Sequence, residues 1–147
     1  MRKTKVLFLC TGNSARSQMA EAFLRKEAGD RFEAYSAGLE PSEIHPYVKQ
    51  VMKEIGIDIS GQYSKGVEEY MGKVHFGYLI SVCDKAQKTC PGVFSGVGQR
   101  LHWSFEDPVA FEGTEEERLN KFREIRDQIN RRIKSWLREQ LKDFNDN

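Results

Sequence analysis

The sequence predicts an α/β protein with a parallel sheet and helices on both of its faces. Short apolar runs alternate with segments of helical pattern, and alternation of this kind is typical of parallel sheets covered by helices. Two of the apolar runs end at a cysteine, Cys10 and Cys83. The length of 147 residues predicts a single domain that spans 1–147.

The first half of the chain is predicted to form two strands and two helices. Lys5–Leu9 is short and apolar, as a buried strand is. A helix is predicted over Ser17–Ala28, where apolar residues recur on one face and Gly29 gives a stop signal. A second strand is expected over Phe32–Ala37. A second helix is expected over Pro46–Ile55, because proline favours the first turn.

The second half is predicted to add two more strands and a long helix. A short helix is predicted over Val67–Met71. An apolar strand is predicted over His75–Cys83, and a short fourth strand over Gln99–Trp103. Thr114–Leu141 has the clearest helical periodicity. Its first residue and Glu117 form a capping box, which fixes where this helix begins.

The composition excludes several classes of protein. The 23 basic and 22 acidic residues nearly cancel, so no nucleic acid is expected as a partner. No apolar run reaches the roughly 18 residues that a membrane span needs. The start, MRKTKVLFLC, is too short in its apolar part for a secretion signal. Three cysteines without such a signal predict reduced thiols and a cytoplasmic protein.

The segment CTGNSARS directly follows the first predicted strand and opens the first helix. Small residues let backbone N–H groups turn inward and bind an anion, and the helix adds its positive N-terminal end. The planar guanidinium of Arg16 can bind two oxygens of a tetrahedral oxyanion. The predicted oxyanion-binding residues are Thr11, Gly12, Asn13, Ser14, Ala15, Arg16 and Ser17.

Cys10 at the start of this loop is predicted to be a nucleophile. Cations and helix N-termini lower the pKa of a cysteine, so we expect a thiolate. Ser17 could donate a hydrogen bond to it, and Asn13 could bridge the loop. The alternative is a small buried hydrophobic residue at a strand end.

Asp107 and the remaining polar residues are more ambiguous. A carboxylic acid near the site could protonate a leaving oxygen, but an Asp-Pro pair also commonly opens a turn, and the residues alone favour the turn. The spacing of Cys83 and Cys90 does not match zinc ligands, and the three histidines form no ligand pattern. No metal and no cofactor are predicted.

Three stretches resemble the low-molecular-weight protein tyrosine phosphatase superfamily, and the resemblance that runs through them covers most of the chain. They are CTGNSARS, SAG (Ser36–Gly38) and HWSFEDP (His102–Pro108). The resemblance implies a four-stranded parallel sheet flanked by helices. It also implies that Cys10 attacks a tetrahedral anion, that Arg16 clamps the oxygens of this anion, and that Asp107 lies over the site.

CDKAQKTCP is similar to a segment of the thioredoxin-coupled arsenate reductases within this superfamily. The similarity implies a relay of three redox cysteines, Cys10, Cys83 and Cys90. Arsenate would be the substrate, phosphate or sulfate would compete, and thioredoxin or a similar dithiol would be the reductant. Val109 and Ala110 stand where the phosphatases typically carry two tyrosines.

Other interpretations stay open at this point. The chain could be a tyrosine phosphatase whose extra cysteines protect Cys10 from oxidation, or a phosphate-binding or redox-sensing regulator without catalysis. Cys83 and Cys90 could be structural, and the electron donor could be glutaredoxin or a small thiol.

The resemblance also bears on a potassium site. Some members of the reductase branch bind potassium through residues that match Asn13, Glu21, Ser36 and an aspartate. Lys65 stands at the fourth position here, and its ammonium could replace the ion, so no potassium site is predicted.

Overall fold

The computed structural model describes residues 3–83 and 97–145, with side chains up to residue 140. Four parallel strands form one sheet in the order β2-β1-β3-β4. The strands are β1 (Thr4–Cys10), β2 (Phe32–Gly38), β3 (Tyr78–Ser81) and β4 (Gln99–His102). The helices within the described residues are α1 (Arg16–Ala28), α2 (Pro46–Glu54), α3 (Glu115–Asn145) and two one-turn 3₁₀ helices, Val67–Glu69 and Pro108–Ala110.

Strand β1 lies in the centre of the molecule. It pairs with β2 along its whole length and with β3 over Val6 to Leu9. Its residues from Val6 to Cys10 are buried, because a central parallel strand is covered on both faces. This burial explains why the sequence of β1 is continuously apolar rather than alternating.

Different segments cover the two faces of the sheet. On one face Trp136 of α3 packs against Phe32 and Tyr78, with ring centroids 5.2 and 5.1 Å apart. On the other face Tyr35 packs edge-on against Tyr70 and Phe76, at 5.2 and 5.4 Å, beside the first 3₁₀ helix. The predicted α/β fold with a four-stranded parallel sheet is confirmed.

Two predicted elements are shorter in the structure by more than one residue. The strand expected over His75–Cys83 is hydrogen-bonded as a strand only over Tyr78–Ser81, which is the length that β1 pairs with. The helix expected over Val67–Met71 is a single 3₁₀ turn, Val67–Glu69. Its chain then turns at Gly72, whose φ is +73°.

The predicted capping box of α3 is confirmed. The Glu117 backbone N–H donates to Thr114 Oγ1, and the Thr114 backbone N–H donates to Glu117 Oε1, both at 3.1 Å. None of the helices in the described part of the chain is both long and apolar enough to cross a membrane.

The topology sets the position of the site. From β1 the chain moves to β2 on one side, and later returns to β3 on the other side. The carboxyl ends of β1 and β3 therefore flank a topological switch point, where ligands bind in open α/β sheets. Cys10 is the last residue of β1, and Cys83 follows β3 by two residues.

Candidate active site

The loop between β1 and α1 curls around the Cys10 sulfur. The backbone N–H of Asn13 donates to Cys10 Sγ at 3.1 Å, and Ser17 Oγ lies 2.8 Å from the same sulfur. Helix α1 begins at Arg16, so its N-terminal end adjoins the loop. The loop therefore brings a thiol, inward-facing backbone and a helix N-terminus to one point.

Hydrogen bonds behind the loop have a defined direction. The Lys65 backbone N–H donates to Asn13 Oδ1 at 3.0 Å, which identifies that atom as the amide oxygen. Asn13 Nδ2 therefore donates to Ser17 Oγ at 2.8 Å, and the Ser17 hydroxyl hydrogen is left for Cys10 Sγ. Asn13 has a φ of +49°, and Gln18 Nε2 donates to its Oδ1 at 2.9 Å.

Opposing influences act on the Cys10 thiol. Burial raises its pKa above the ordinary value, hydrogen bonds from Ser17 and Asn13 lower it in part, and the nearby Cys83 raises it. Burial prevails, so the structure differs from the expectation of a thiolate with a lowered pKa. Arg16 lines the same cleft, and its Nη1 donates to the Phe105 carbonyl at 2.9 Å.

A cleft of about 780 Å³ opens at the loop. Its lining combines the loop, the second cysteine and a segment that follows β4: Cys10, Thr11, Gly12, Ser14, Ala15, Arg16, Cys83, Ser104, Phe105, Glu106, Asp107 and Val109. Asn13 and Ser17 have no exposed surface, so they support the loop from behind while the other predicted oxyanion-binding residues face the cleft.

The sequence left open whether Asp107 opens a turn or lies at the site, and in the structure it does both. Its Oδ1 accepts the Val109 backbone N–H at 3.0 Å and so caps the 3₁₀ turn that begins at Pro108. Its Oδ2 lies 3.7 Å from Arg16 Nη2 at the edge of the cleft. The carboxylate is thus a turn residue that also faces the oxyanion loop.

Cys83 is brought to the same cleft as Cys10 across 73 positions of the chain. Its thiol is free and buried, and its sulfur lies 3.4 Å from Thr11 Oγ1. The structure therefore joins the two thiols through the loop residue next to Cys10. Cys90, the third predicted relay cysteine, lies outside the described residues.

Sequence reasoning missed several residues that support the loop. Gln18 Nε2 donates to the Asn13 and Tyr63 carbonyls, each at 3.0 Å. A Cβ atom at Gly38 would lie 2.7 Å from the Thr11 carbonyl oxygen, so only glycine fits there. Gly38 had a signal, since it closes the SAG motif, whereas nothing in the local pattern marks Gln18.

Clusters of His, Cys, Asp and Glu were the metal sites that the sequence argued against. Within residues 3–83 and 97–140, no three His, Cys, Asp or Glu side chains come together as a metal ion would require. His45 instead caps α2, where its Nδ1 accepts the Tyr47 backbone N–H at 3.1 Å. His102 Nδ1 lies 2.8 Å from Ser81 Oγ.

Fold and site together define a parallel α/β protein with a thiol, inward-facing backbone and a helix N-terminus between its first strand and first helix. The family model described as low molecular weight phosphotyrosine protein phosphatase matches residues 5–146. The chain belongs to this family.

Several relatives carry a more specific description. An arsenate reductase of Halalkalibacterium halodurans is 44% identical over 137 residues, which cover 92% of this chain and 96% of the relative. A solved arsenate reductase in the phosphate-binding state has a TM-score of 0.77 and 33% identity, and the match covers 92% of this chain and 98% of that one.

A thioredoxin-dependent arsenate reductase from Corynebacterium glutamicum has a TM-score of 0.71 and 31% identity. This match covers 95% of the chain and 63% of that protein. The resemblance found in the sequence, to the arsenate reductases of this phosphatase superfamily, is confirmed.

Proposed function

We propose that this protein reduces arsenate to arsenite through a relay of three thiols. The observation that carries the proposal is the shared cleft, in which Cys10 and Cys83 are both free thiols at one oxyanion loop. Hydrolysis of a phosphate ester needs one nucleophile, whereas reduction by two electrons needs a second thiol. The similarity to arsenate reductases over most of the chain gives independent support.

The first step is attack of Cys10 on arsenate bound in the loop. Backbone N–H groups and the helix N-terminus hold the oxyanion, and the guanidinium of Arg16 turns from Phe105 to clamp two of its oxygens. Sγ forms a bond to arsenic, the proton of the Cys10 thiol passes to an arsenic hydroxyl, and this hydroxyl leaves as water. Asp107, which lines the same cleft, can relay that proton.

The second step transfers the electrons. The Cys83 thiolate attacks Cys10 Sγ, the sulfur–arsenic bond breaks, and its electron pair stays on arsenic, which passes from As(V) to As(III). Arsenite leaves, and a Cys10–Cys83 disulfide remains. The Thr11 hydroxyl lies 3.4 Å from Cys83 Sγ and can donate a hydrogen bond to this second nucleophile.

The third step resets the loop. Cys90 attacks Cys83, releases Cys10 as a thiolate and forms a Cys83–Cys90 disulfide. An external dithiol then reduces this disulfide by exchange. We propose thioredoxin, because a structurally similar reductase is described as thioredoxin-dependent. A relay that depends on reduced thiols fits a cytoplasmic protein.

A coupled assay tests the proposal. Arsenate is added to the protein with thioredoxin, thioredoxin reductase and NADPH, and NADPH oxidation is followed beside hydrolysis of para-nitrophenyl phosphate. We expect arsenate-dependent NADPH oxidation in the native protein and none in Cys83→Ser, while Cys83→Ser keeps any phosphatase activity. No arsenate-dependent oxidation in the native protein, or equal loss of both activities in Cys83→Ser, contradicts the relay.

Phosphate-ester hydrolysis is the second candidate function. The position of Asp107 favours it, because a carboxyl group that lines the cleft with Cys10 can protonate a leaving alcohol. Val109 at the cleft rim offers an aliphatic rather than an aromatic contact for such a substrate. Rapid para-nitrophenyl phosphate hydrolysis without any arsenate reduction would make the phosphatase the principal activity.

A further inference from the structure

A pair of opposite charges is buried behind the oxyanion loop. The side chains of Glu21 and Lys65 are only 6% and 7% exposed, and Lys65 Nζ lies 3.7 Å from Glu21 Oε1. Burying a charge is costly unless a partner compensates it. The mechanism described above uses neither residue, so the pair requires an explanation of its own.

The ammonium of Lys65 lies among oxygen atoms from three segments. It donates to the Tyr63 carbonyl at 2.9 Å and lies 3.5 Å from Ser36 Oγ, in addition to its ion pair with Glu21. Ser36 Oγ donates to the same Glu21 oxygen at 2.6 Å. A carboxylate, a hydroxyl and a carbonyl are the ligands that a small cation prefers.

The other oxygen of Glu21 has a separate partner. Arg25 Nη2 donates to Glu21 Oε2 at 2.6 Å, but half of the Arg25 side chain is exposed. Lys65 is therefore the buried cation on the loop side of this carboxylate. Burial lowers the pKa of Lys65, and the charge of Glu21 opposes that change, as expected for an ammonium held by its partner.

The backbone of Lys65 is in direct contact with the loop. Its N–H donates to Asn13 Oδ1 at 3.0 Å, and its carbonyl accepts the Gly38 N–H at 2.9 Å. Asn13 passes its own hydrogen bond to Ser17, which bonds to the Cys10 sulfur. Anything that fixes residue 65 therefore fixes the partners of the nucleophile.

We propose that the Lys65 ammonium is a positioning group, a cation built into the chain that holds residue 65 against the oxyanion loop. Truncation of its side chain would then leave an oxygen-lined pocket that accepts a small external cation. Only the effect of Lys65 on arsenate turnover rests on the proposed function. Its effect on the loop can be measured directly, through oxyanion binding and the reactivity of Cys10.

The experiment compares Lys65→Ala with two other variants. Lys65→Met removes the charge but keeps most of the volume, and Lys73→Ala removes an exposed lysine as a control. Phosphate binding is measured by calorimetry in methylammonium, potassium or choline chloride at equal ionic strength. Choline is too large for the pocket, so it serves as the inert cation.

We expect Lys65→Ala and Lys65→Met each to bind phosphate about tenfold more weakly in choline chloride. Methylammonium or potassium should restore most of this loss in Lys65→Ala and little in Lys65→Met, whose side chain still fills the pocket. Native protein and Lys73→Ala should respond to neither ion. Cation effects that are equal in Lys65→Ala and Lys65→Met, or native affinity in both, would overturn the proposal.

Two further measurements keep the test decisive. If Lys65→Ala is too unstable for calorimetry, its thermal unfolding should shift upward in methylammonium relative to choline, and the absence of this shift counts against the proposal. If the native protein binds phosphate but does not reduce arsenate, the proposed function fails while the cation rescue of phosphate binding still decides the role of Lys65.

Discussion

Ser17 is held between a donor and an acceptor, and this arrangement sets the chemistry of Cys10. Its oxygen accepts from Asn13 Nδ2 at 2.8 Å, and its hydroxyl lies 2.8 Å from the Cys10 sulfur, where it can donate to a thiolate. A hydrogen bond of that kind stabilises the thiolate and opposes the rise in pKa that burial causes. Ser17 thus contacts the predicted nucleophile without facing the cleft.

Ser17→Ala should raise the pKa of Cys10 further. The change removes a bond to the charged form, so the thiolate fraction at any pH below the pKa falls. The measurement is the pH profile of iodoacetamide alkylation in a background with Cys83→Ser and Cys90→Ser, where Cys10 is the one remaining thiol. The midpoint should move to higher pH, while Ser60→Ala, an exposed serine, leaves it in place.

Gly38 is a second residue that supports the loop, because it leaves room for the loop backbone to pass close to β2. An added Cβ would lie 2.7 Å from the Thr11 carbonyl oxygen and 2.9 Å from the Asn13 nitrogen, both of them backbone atoms of the loop. Gly38→Ala should therefore lower the free energy of unfolding by about 1–3 kcal/mol and weaken phosphate binding. Gly61 has open space around a Cβ, so Gly61→Ala should change stability by less than about 0.5 kcal/mol. Equal effects of the two substitutions in urea unfolding would show that the contact at Gly38 is unimportant.

At the scale of one element, α3 illustrates how local signals determine a helix. Thr114 and Glu117 exchange two hydrogen bonds at its start, and three glutamates in its first turn suit the positive end of the helix dipole. These interactions involve neighbours in the sequence, which explains why the beginning of α3 could be predicted.

Thr114→Ala should destabilise the protein by about 1 kcal/mol, since the Glu117 N–H loses its acceptor. Thr114→Ser keeps the hydroxyl and should retain nearly native stability. Urea unfolding of both variants checks the prediction, and a loss in Thr114→Ser as large as that in Thr114→Ala would assign the effect to the methyl group instead.

At the scale of the whole molecule, Trp136 joins α3 to the sheet. It is 2% exposed and packs against Phe32 of β2, Tyr78 of β3 and Trp103 after β4, with ring centroids at 5.2, 5.1 and 6.0 Å. One side chain on a helix therefore contacts residues in or directly after three of the four strands. Its burial contributes to the cohesion of the entire domain.

Trp136→Ala should lower the free energy of unfolding by about 3–5 kcal/mol, because a large buried aromatic side chain is lost and a cavity is left. Trp136→Phe should lose less and keeps the test informative if the alanine variant does not fold. Lys134→Ala, an exposed neighbour on α3, should unfold at nearly the native urea concentration. A Trp136→Phe variant less stable than Trp136→Ala would contradict the cavity explanation.

The sequence by itself determined the order of the elements, the parallel sheet and the place of the loop that follows Cys10. These features depend on short-range patterns: an apolar run for β1, small residues from Thr11 to Ala15, and a capping box for α3. The positions of Cys10 and Cys83 at the ends of two predicted strands indicated that they could meet at one crevice, and motif resemblance added Asp107. The predicted length of β3 was wrong. The strand extends only over Tyr78–Ser81 because its length is set by pairing with β1, and not by how far its apolar run continues.

The tertiary structure alone decided how the site is held and charged. Lys65 contacts the loop across 52 positions, and Arg16 reaches the Phe105 carbonyl across 89. The raised pKa of Cys10 follows from burial of the thiol, which outweighs the loop's own hydrogen bonds. Desolvation and ion pairing depend on which atoms surround a group in space, and that surrounding is set by the sheet order rather than by neighbours in the sequence.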